Sequence, residues 1–292
     1  MGFEKKLSLQ RLLMIVPAFV LFTVFVIYPF ASGLYYSLTN WDGITVTKFI
    51  GLDNYLRLAQ DRVFIKAAMN TFLVCGVGIL IGNPIAILLA VLLNQNLKFK
   101  GVLRSAFYIP NVMSMMAVSV LWTLILRYEG LFNALMDILG LGNLKKDWIG
   151  DFNTVMPSII IILFWLGTGV SIIIYLAGLN SIPTEIHEAA IVDGVKPWSS
   201  FRHITFPLLM PFITINVFLG LTGGLKLFDL PYVMTGGGPG HASDTIALVI
   251  YGYAFKSNLY GYATAAGIVF MMMILAITLI QLKVTRSREV DY

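Results

Sequence analysis

Phe152-Asn153-Thr154-Val155-Met156-Pro157-Ser158-Ile159-Ile160-Ile161-Ile162-Leu163-Phe164-Trp165-Leu166-Gly167-Thr168-Gly169-Val170-Ser171-Ile172-Ile173-Ile174-Tyr175-Leu176-Ala177-Gly178-Leu179-Asn180-Ser181-Ile182-Pro183-Thr184 contains no Asp, Glu, Lys or Arg. A helix crosses the hydrocarbon core of a bilayer in about 20 residues, so this run is long enough to span one. Five more uncharged runs lie around it: Leu12–Leu38, Ala67–Leu97, Ser105–Leu126, Ile204–Leu225 and Ser257–Leu282. The composition agrees, with 58% hydrophobic and 12% charged residues in a chain of 292. A soluble domain has about twice that charged fraction. The solvent for most of this chain is therefore lipid.

Lipid offers the backbone no hydrogen bonds, so a lone spanning segment is read as a helix. The expected fold is all-α and polytopic, a single transmembrane domain over 1–292. Its spans fall at about 12–38, 67–97, 105–126, 155–181, 204–225 and 257–282. Pro17, Pro29, Pro84, Pro110, Pro157, Pro207 and Pro211 lie near several ends, and some should kink their helices because each lacks an amide donor. The first run is too long for the apolar region of a secretory signal and has no A-x-A site after it, so it is read as a retained helix.

Positive charge sets the orientation. Lys5, Lys6 and Arg11 precede the first run. Lys98, Lys100 and Arg104 fill the loop 98–104, and the C-terminal tail has Lys283, Arg286 and Arg288 before its first acid, Glu289. The loops 39–66 and 127–151 mix both signs. The expected arrangement is both termini cytoplasmic. The formal charge of +5 fits basic membrane flanks rather than a nucleic-acid surface.

Several function classes are disfavoured by what the spans lack. Proton-coupled carriers and voltage sensors need ionisable groups inside the membrane, and the six runs contain none. No G-x-x-x-x-G-K-[ST] loop is present, and the run Thr235-Gly236-Gly237-Gly238-Pro239-Gly240 lacks the Lys and the hydroxyl after it. The chain therefore does not bind ATP in the P-loop manner, and active transport would need another chain to supply energy. His187 and His203 share one loop, whereas His241 is on the other side, and Cys75 is the only cysteine, so no metal site is expected. A membrane enzyme would need a nucleophile–base pair, and none is visible.

The loop 182–207 between the fourth and fifth spans is the informative connection. Pro183 suits the first turn of a helix, Thr184–Val192 is good helix, Gly194 fits a left-handed C′ position, and Pro197 can open a second short helix. Ile186, Ala189, Ala190 and Asp193 recur at three- and four-residue spacing, and the small alanines would let another surface come close. Glu185 and Glu188 offer carboxylates to a basic partner.

Glu188-Ala189-Ala190, Gly194 and Ile204-x-x-Pro207 together resemble the EAA loop of ABC importer permeases. Ile182-Pro183, Asp193-Gly194, Trp198 with Phe201, Asn40-Trp41, Gly51-Leu52-Asp53-Asn54-Tyr55, Asn70-Thr71, Phe228-Asp229 and Thr235–Pro239 resemble the sugar-type, maltose-like branch. Phe206 departs from the pattern, standing where that family usually has Leu. The resemblance implies a multi-pass subunit of the cell inner membrane that is not an enzyme and has no cofactor of its own, with ATP and Mg bound by partner ATPases. It implies a coupling helix using Glu185, Glu188, Ala189, Ala190, Asp193, Gly194 and Pro207. It also implies a second, different permease, two ATPase subunits and an external solute-binding protein, with the first helix wrapping a partner. The alternative is a channel or facilitator for small polar solutes that works without an ATPase.

The substrate path is expected at mid-membrane on the fourth and fifth spans. Asn216, Gly220, Gly223 and Gly224 would leave room and one amide. Trp165, Gly167 and Thr168 would add a ring and polar groups, a combination suited to a hydroxyl-rich solute. The absence of charge favours a neutral one. The competing reading is that Gly220-x-x-x-Gly224 and Trp165 only pack helices.

Overall fold

The computed structural model describes residues 14–45, 47–95 and 97–288. Lys5, Lys6, Arg11, the start of the first run at Leu12, and Glu289 lie outside the described residues. Among those described, six helices are long and apolar enough to cross a membrane: Met14–Ser37, Arg62–Asn94, Met115–Ile138, Val155–Ser181, Met210–Thr235 and Tyr260–Arg286. No strand occurs among them; the only β pairing is an isolated bridge between Thr39 and Phe49.

The helix ends differ from the uncharged runs for local reasons. The run 105–126 is not one helix. Lys100–Val112 stops at an extended Met113 and Ser114, and Met115–Leu126 begins anew. Pro110 withdraws an amide from the last turn of the first piece, which makes that the weak point. The second span starts earlier than its uncharged run, with Arg62 and Lys66 in its first turns. The fifth breaks at Leu209 before Met210–Leu225, and the sixth starts at Tyr260.

Proline also shapes the interior of the spans. Three of the four π-helical turns among the described residues are Thr23–Ile27, Gly78–Gly82 and Phe201–Thr205. Each ends two residues before a proline: Pro29, Pro84 and Pro207. A proline ring collides with the carbonyl four residues back, here Phe25, Leu80 and His203. Widening the turn moves that carbonyl aside without ending the helix, so the chain keeps its backbone paired in lipid.

The chain divides into two compact units. In the unit of Met1–Asp61 with Ile250–Met271, Asn54 Nδ2 donates to the carbonyls of Ser37 and Thr39, both at 2.8 Å. The Ser37 hydroxyl meets the Tyr55 hydroxyl at 2.7 Å. Trp41 stacks on Tyr36 with centroids 4.3 Å apart, and its carbonyl accepts from the Gly261 amide. A Cβ on Gly261 would lie 2.3 Å from the Thr39 carbonyl oxygen, so only glycine fits there. Asp61 accepts from the hydroxyls of Tyr253 and Tyr262 at 2.5 and 2.8 Å. Asp42 accepts from the Thr45 and Ile44 amides, which hold its carboxyl below the ordinary value. These contacts give the Asn40-Trp41 and Gly51–Tyr55 segments structural work.

The unit of Arg62–Val249 with Met272–Tyr292 has two buried apolar clusters. One centres on Val155, Ile159 and Ile162 against Val118 and Leu230. The other centres on Ile172, Tyr175 and Leu176 against Ala86, Ala90 and Leu209. Asn70 ties the glycine-rich segment down: its Nδ2 donates to the carbonyls of Ala242 at 3.0 Å and Asp244 at 2.9 Å. Its neighbour Thr71 accepts from the Ile246 amide. Asn133 bonds the carbonyls of Tyr128 and Lys146 and accepts from the Trp148 indole, fixing the segment 127–148. The first span is different, with none of its apolar window buried within the chain. Phe19 and Phe25 are more than half exposed, so their cover is lipid or another chain.

Asn70→Leu removes both bonds, to the carbonyls of Ala242 and Asp244. The expected cost is about 2 kcal/mol. A lower thermal midpoint of the solubilised protein, with faster protease cleavage between 236 and 245, is the expected result.

Candidate functional site

A cavity of about 440 Å³ lies among the second, fourth and fifth spans and the helix Lys100–Val112. The fourth span contributes Phe164, Gly167, Thr168 and Ser171, spaced at i, i+3, i+4 and i+7, which is one helix face. The fifth contributes Asn216, Leu219, Gly220 and Gly223 at the same spacing, with Gly224 beside them. The second adds Gly78, Gly82 and Asn83, and the helix before the third adds Asn111. No lining residue is ionisable. The π-helical turn Gly78–Gly82 forms part of the wall, and Asn83 Nδ2 returns to the Gly78 carbonyl at 3.3 Å.

Six of the seven residues read from the sequence as a substrate path line this cavity: Gly167, Thr168, Asn216, Gly220, Gly223 and Gly224. Trp165 does not. One residue is about 100° of helix, so Trp165 points away while Phe164 faces the space. The Trp165 ring instead packs edge-on against Trp122, with centroids 5.6 Å apart. The sequence reading missed Phe164, Ser171, Asn83 and Asn111. The three- and four-residue spacing from Thr168 marked the first two; nothing local marked Asn111.

The glycines divide between the two competing readings. A Cβ at Gly167, Gly220 or Gly223 would meet nothing within 4 Å, so these positions keep space open. At Gly224 it would lie 2.8 Å from Cys75 Sγ, and at Gly169 it would lie 2.1 Å from the Phe107 carbonyl oxygen. Those two positions allow close helix packing. Of the pair Gly220-x-x-x-Gly224, one residue therefore serves the cavity and the other the helix contact. Thr168 Oγ1 donates to the Phe164 carbonyl within its own helix.

The loop helix spans Thr184–Val192, with Pro183 as its N-cap residue. Gly194 has φ +71° and open space around it, so its backbone angle and not its surroundings calls for glycine. The Gly194 amide donates to the Ile191 carbonyl and the Val195 amide to the Ala190 carbonyl, a Schellman closure. Pro197 then opens the turn Pro197–Ser200. Glu185, Glu188, Ala189 and Asp193 are exposed and Pro207 is half-buried. Neither glutamate has an ion-pair partner among the described residues.

Ala190 departs from the expected outer stripe. It is 5% exposed and turned toward the body of the chain, lining a groove of about 370 Å³ with Val91, Leu179 and Phe201. Ile186, grouped with it by spacing, is also partly buried. The outward face instead includes Ile191 and Val192, 74% and 87% exposed. A 100° step per residue puts Val192 beside Glu185 and Glu188. Phe206 ends an aromatic chain through Phe201 to Trp198, with centroid spacings of 6.2 and 5.7 Å.

Among the described residues no group of three His, Cys, Asp or Glu side chains could hold a metal. Six helices long and apolar enough to cross a membrane, an uncharged cavity and an exposed loop helix are the features of the chain. The chain belongs to the family of binding-protein-dependent transport system inner membrane components, whose model matches residues 82–289. It is 37% identical over 279 residues to the multiple sugar-binding transport system permease protein MsmF of Streptococcus mutans, covering 95% of each chain. It is 34% identical over 279 residues to the trehalose/maltose transport system permease protein MalF of Thermococcus litoralis, covering 95% of this chain and 94% of that one. The fold matches a chain of a bacterial ABC transporter involved in import of the acidic polysaccharide alginate, at TM-score 0.84 and 26% identity, covering 98% and 99% of the two chains. The protein is thus a multi-pass inner-membrane component of an ABC transport system.

Gly224→Leu and Gly220→Leu should separate packing from open space. Gly224→Leu collides with Cys75 and is expected to lower the yield of monodisperse protein several-fold on size exclusion. Gly220→Leu projects into the cavity and is expected to assemble at close to the parent yield.

Proposed function

We propose that this chain, acting over 1–292 as one permease domain, forms half of the translocation path of an ATP-driven importer for a neutral sugar or oligosaccharide. The cavity is the observation that carries the substrate class. Its amides, hydroxyls and one aromatic ring suit a solute with hydroxyl edges and a flat apolar face, and it has no charge to meet a phosphate or carboxylate. The names of the relatives, which transport multiple sugars or trehalose and maltose, support that class.

The loop helix is the proposed coupling element, with Glu185, Glu188, Ala189, Val192 and Asp193 toward an ATPase and Ala190 and Pro207 seating the helix on the chain. Gly194 closes it. One chain has one such helix, so two ATPase subunits call for a second permease, a different chain in the sugar-type reading. An external solute-binding protein delivers the solute. A solved complex of the alginate transporter with a pentasaccharide-bound periplasmic protein supports that partner, at 26% identity and TM-score 0.85. The uncovered first span suits a helix that wraps a partner. Both termini then lie in the cytoplasm, on the side of the basic loop 98–104. A facilitator working without ATPases would have no use for an exposed acidic helix closed by a left-handed glycine.

Glu188→Lys reverses the charge presented to the ATPase. With the full complex in vesicles, transport should fall at least tenfold while the permease is still recovered in the membrane. Transport at the parent rate would remove the loop helix from this role. Gly194→Val, which forces a β-branched residue into positive φ, should produce the same loss.

A further inference from the structure

A groove of about 420 Å³ lies between the start of the helix Lys100–Val112 and the last turns of the fourth span. Its polar rim is Arg104, Ser105 and Tyr108 from the first helix and Asn180 from the second. Ile173, Leu176 and Ala177 form its apolar wall, and with Asn180 they recur at i, i+3, i+4 and i+7, one face of the fourth span. A second groove continues along the helix, sharing Ser105 and Tyr108 and adding Ile109 and Val112. These four also recur at i, i+3, i+4 and i+7. The polar groups thus sit at one end, and apolar surface runs on from them along the helix.

The charge at the polar end is unbalanced. No Asp or Glu lines either groove, and the adjoining segment 98–104 holds Lys98, Lys100 and Arg104 with no acid. Lys100 Nζ donates to the Asn94 carbonyl at 3.2 Å, but no carboxylate pairs with any of the three among the described residues. Arg104 Nε is buried without a hydrogen-bond partner. Buried donors are nearly always paired, so this one marks a guanidinium whose partner is not in the chain. The cations also stand at the start of a helix, where the backbone dipole is positive and disfavours them. An anion at the rim answers each of these features.

The apolar half says which anion. Ile109 and Val112 are 60% and 70% exposed, and a free anion in water has no use for them. From Arg104 to Val112 the helix rises about 12 Å. One leaflet of hydrocarbon is about 15 Å deep. A phosphate held at Arg104 therefore leaves an acyl chain lying along Ile109 and Val112. We propose that the double groove is a site for one anionic phospholipid. Arg104, Ser105, Tyr108 and Asn180 hold its phosphate, and its tail covers the exposed face of Lys100–Val112. All four side chains can donate to phosphate oxygens, the guanidinium most strongly. A zwitterionic lipid has the same phosphate but adds a cation that Lys98 and Lys100 repel. The site shares no lining residue with the cavity and does not depend on which solute is carried.

The test uses the complex with which the chain copurifies. It is exchanged into vesicles of phosphatidylcholine and phosphatidylglycerol at three to one, re-extracted, and its retained lipid counted by native mass spectrometry. The parent should hold phosphatidylglycerol at least fivefold above its share of the vesicle lipid. Arg104→Gln should retain one phosphatidylglycerol fewer per copy of this chain, and Arg104→Lys, which keeps the charge, should retain most of it. Equal retention by the parent and Arg104→Gln overturns the inference, as does retention of both lipids in proportion to their shares. Should Arg104→Gln fail to assemble, Asn180→Leu decides by the same count. Inorganic phosphate at tens of millimolar should leave the count unchanged; displacement by it means that the rim reads a free anion, and it overturns the lipid assignment. Val112→Cys, probed in vesicles with a lipid-soluble maleimide, should react at least tenfold faster than the buried Cys75 of the parent. A Val112→Cys that resists labelling means that another protein chain covers this face, which also overturns the inference.

Discussion

Backbone pairing in a solvent without hydrogen bonds is the constraint on which the rest of this structure depends. Each spanning segment must satisfy its own amides and carbonyls, and that makes it a helix. Proline disturbs that bookkeeping by removing an amide and crowding a carbonyl. The chain meets the disturbance at Pro29, Pro84 and Pro207 by opening a π-helical turn, and near Pro110 by ending the helix. The response at Pro84 also shapes the site. The widened turn Gly78–Gly82 borders the cavity and leaves a carbonyl that Asn83 bonds.

Once the helices exist, apolar surface alone discriminates poorly between one packing and another, because lipid tails are as apolar as leucine. The discriminating contacts are polar and short. Asn54, Asn70, Asn133 and Asn216 are each at most 4% exposed, and each bonds backbone carbonyls of a distant or turning segment. Glycines at Gly169, Gly178 and Gly224 supply the other discriminating contact, because a Cβ at any of them would press into a neighbouring helix. Asparagine and glycine together fix which faces meet, and the faces left over enclose the cavity.

The loop helix follows a different physics, because it is short, outside the six spans and mostly exposed. It ends on a left-handed glycine and buries one small residue, Ala190, against the chain. Its opposite side presents two carboxylates beside exposed Val192. A mixed acidic and apolar face of that kind suits a partner that supplies both cations and an apolar seat. The fourth span runs unbroken to Ser181, and only the extended Ile182 and Pro183 separate it from this helix.

The sequence alone determined the number of apolar spans, the fourth span, the left-handed glycine and the run of small residues on the fifth span. These depend on composition and on spacing within one segment, and such features survive whatever the rest of the chain does. Its resemblance to a transport family pointed to the family that the comparisons bear out. Tertiary structure decided the remainder, because each remaining feature depends on what another helix brings. Whether Gly220 or Gly224 packs a neighbour turns on Cys75, far away in the sequence. Whether Ala190 faces out turns on Val91 and Phe201. Trp165 looked like a sugar platform because residue type was legible while its rotation against Trp122 was not. Asn83 and Asn111 gave no local sign of lining the cavity. Their roles arise only where three helices meet, and a periodic pattern within one helix holds no information about the others.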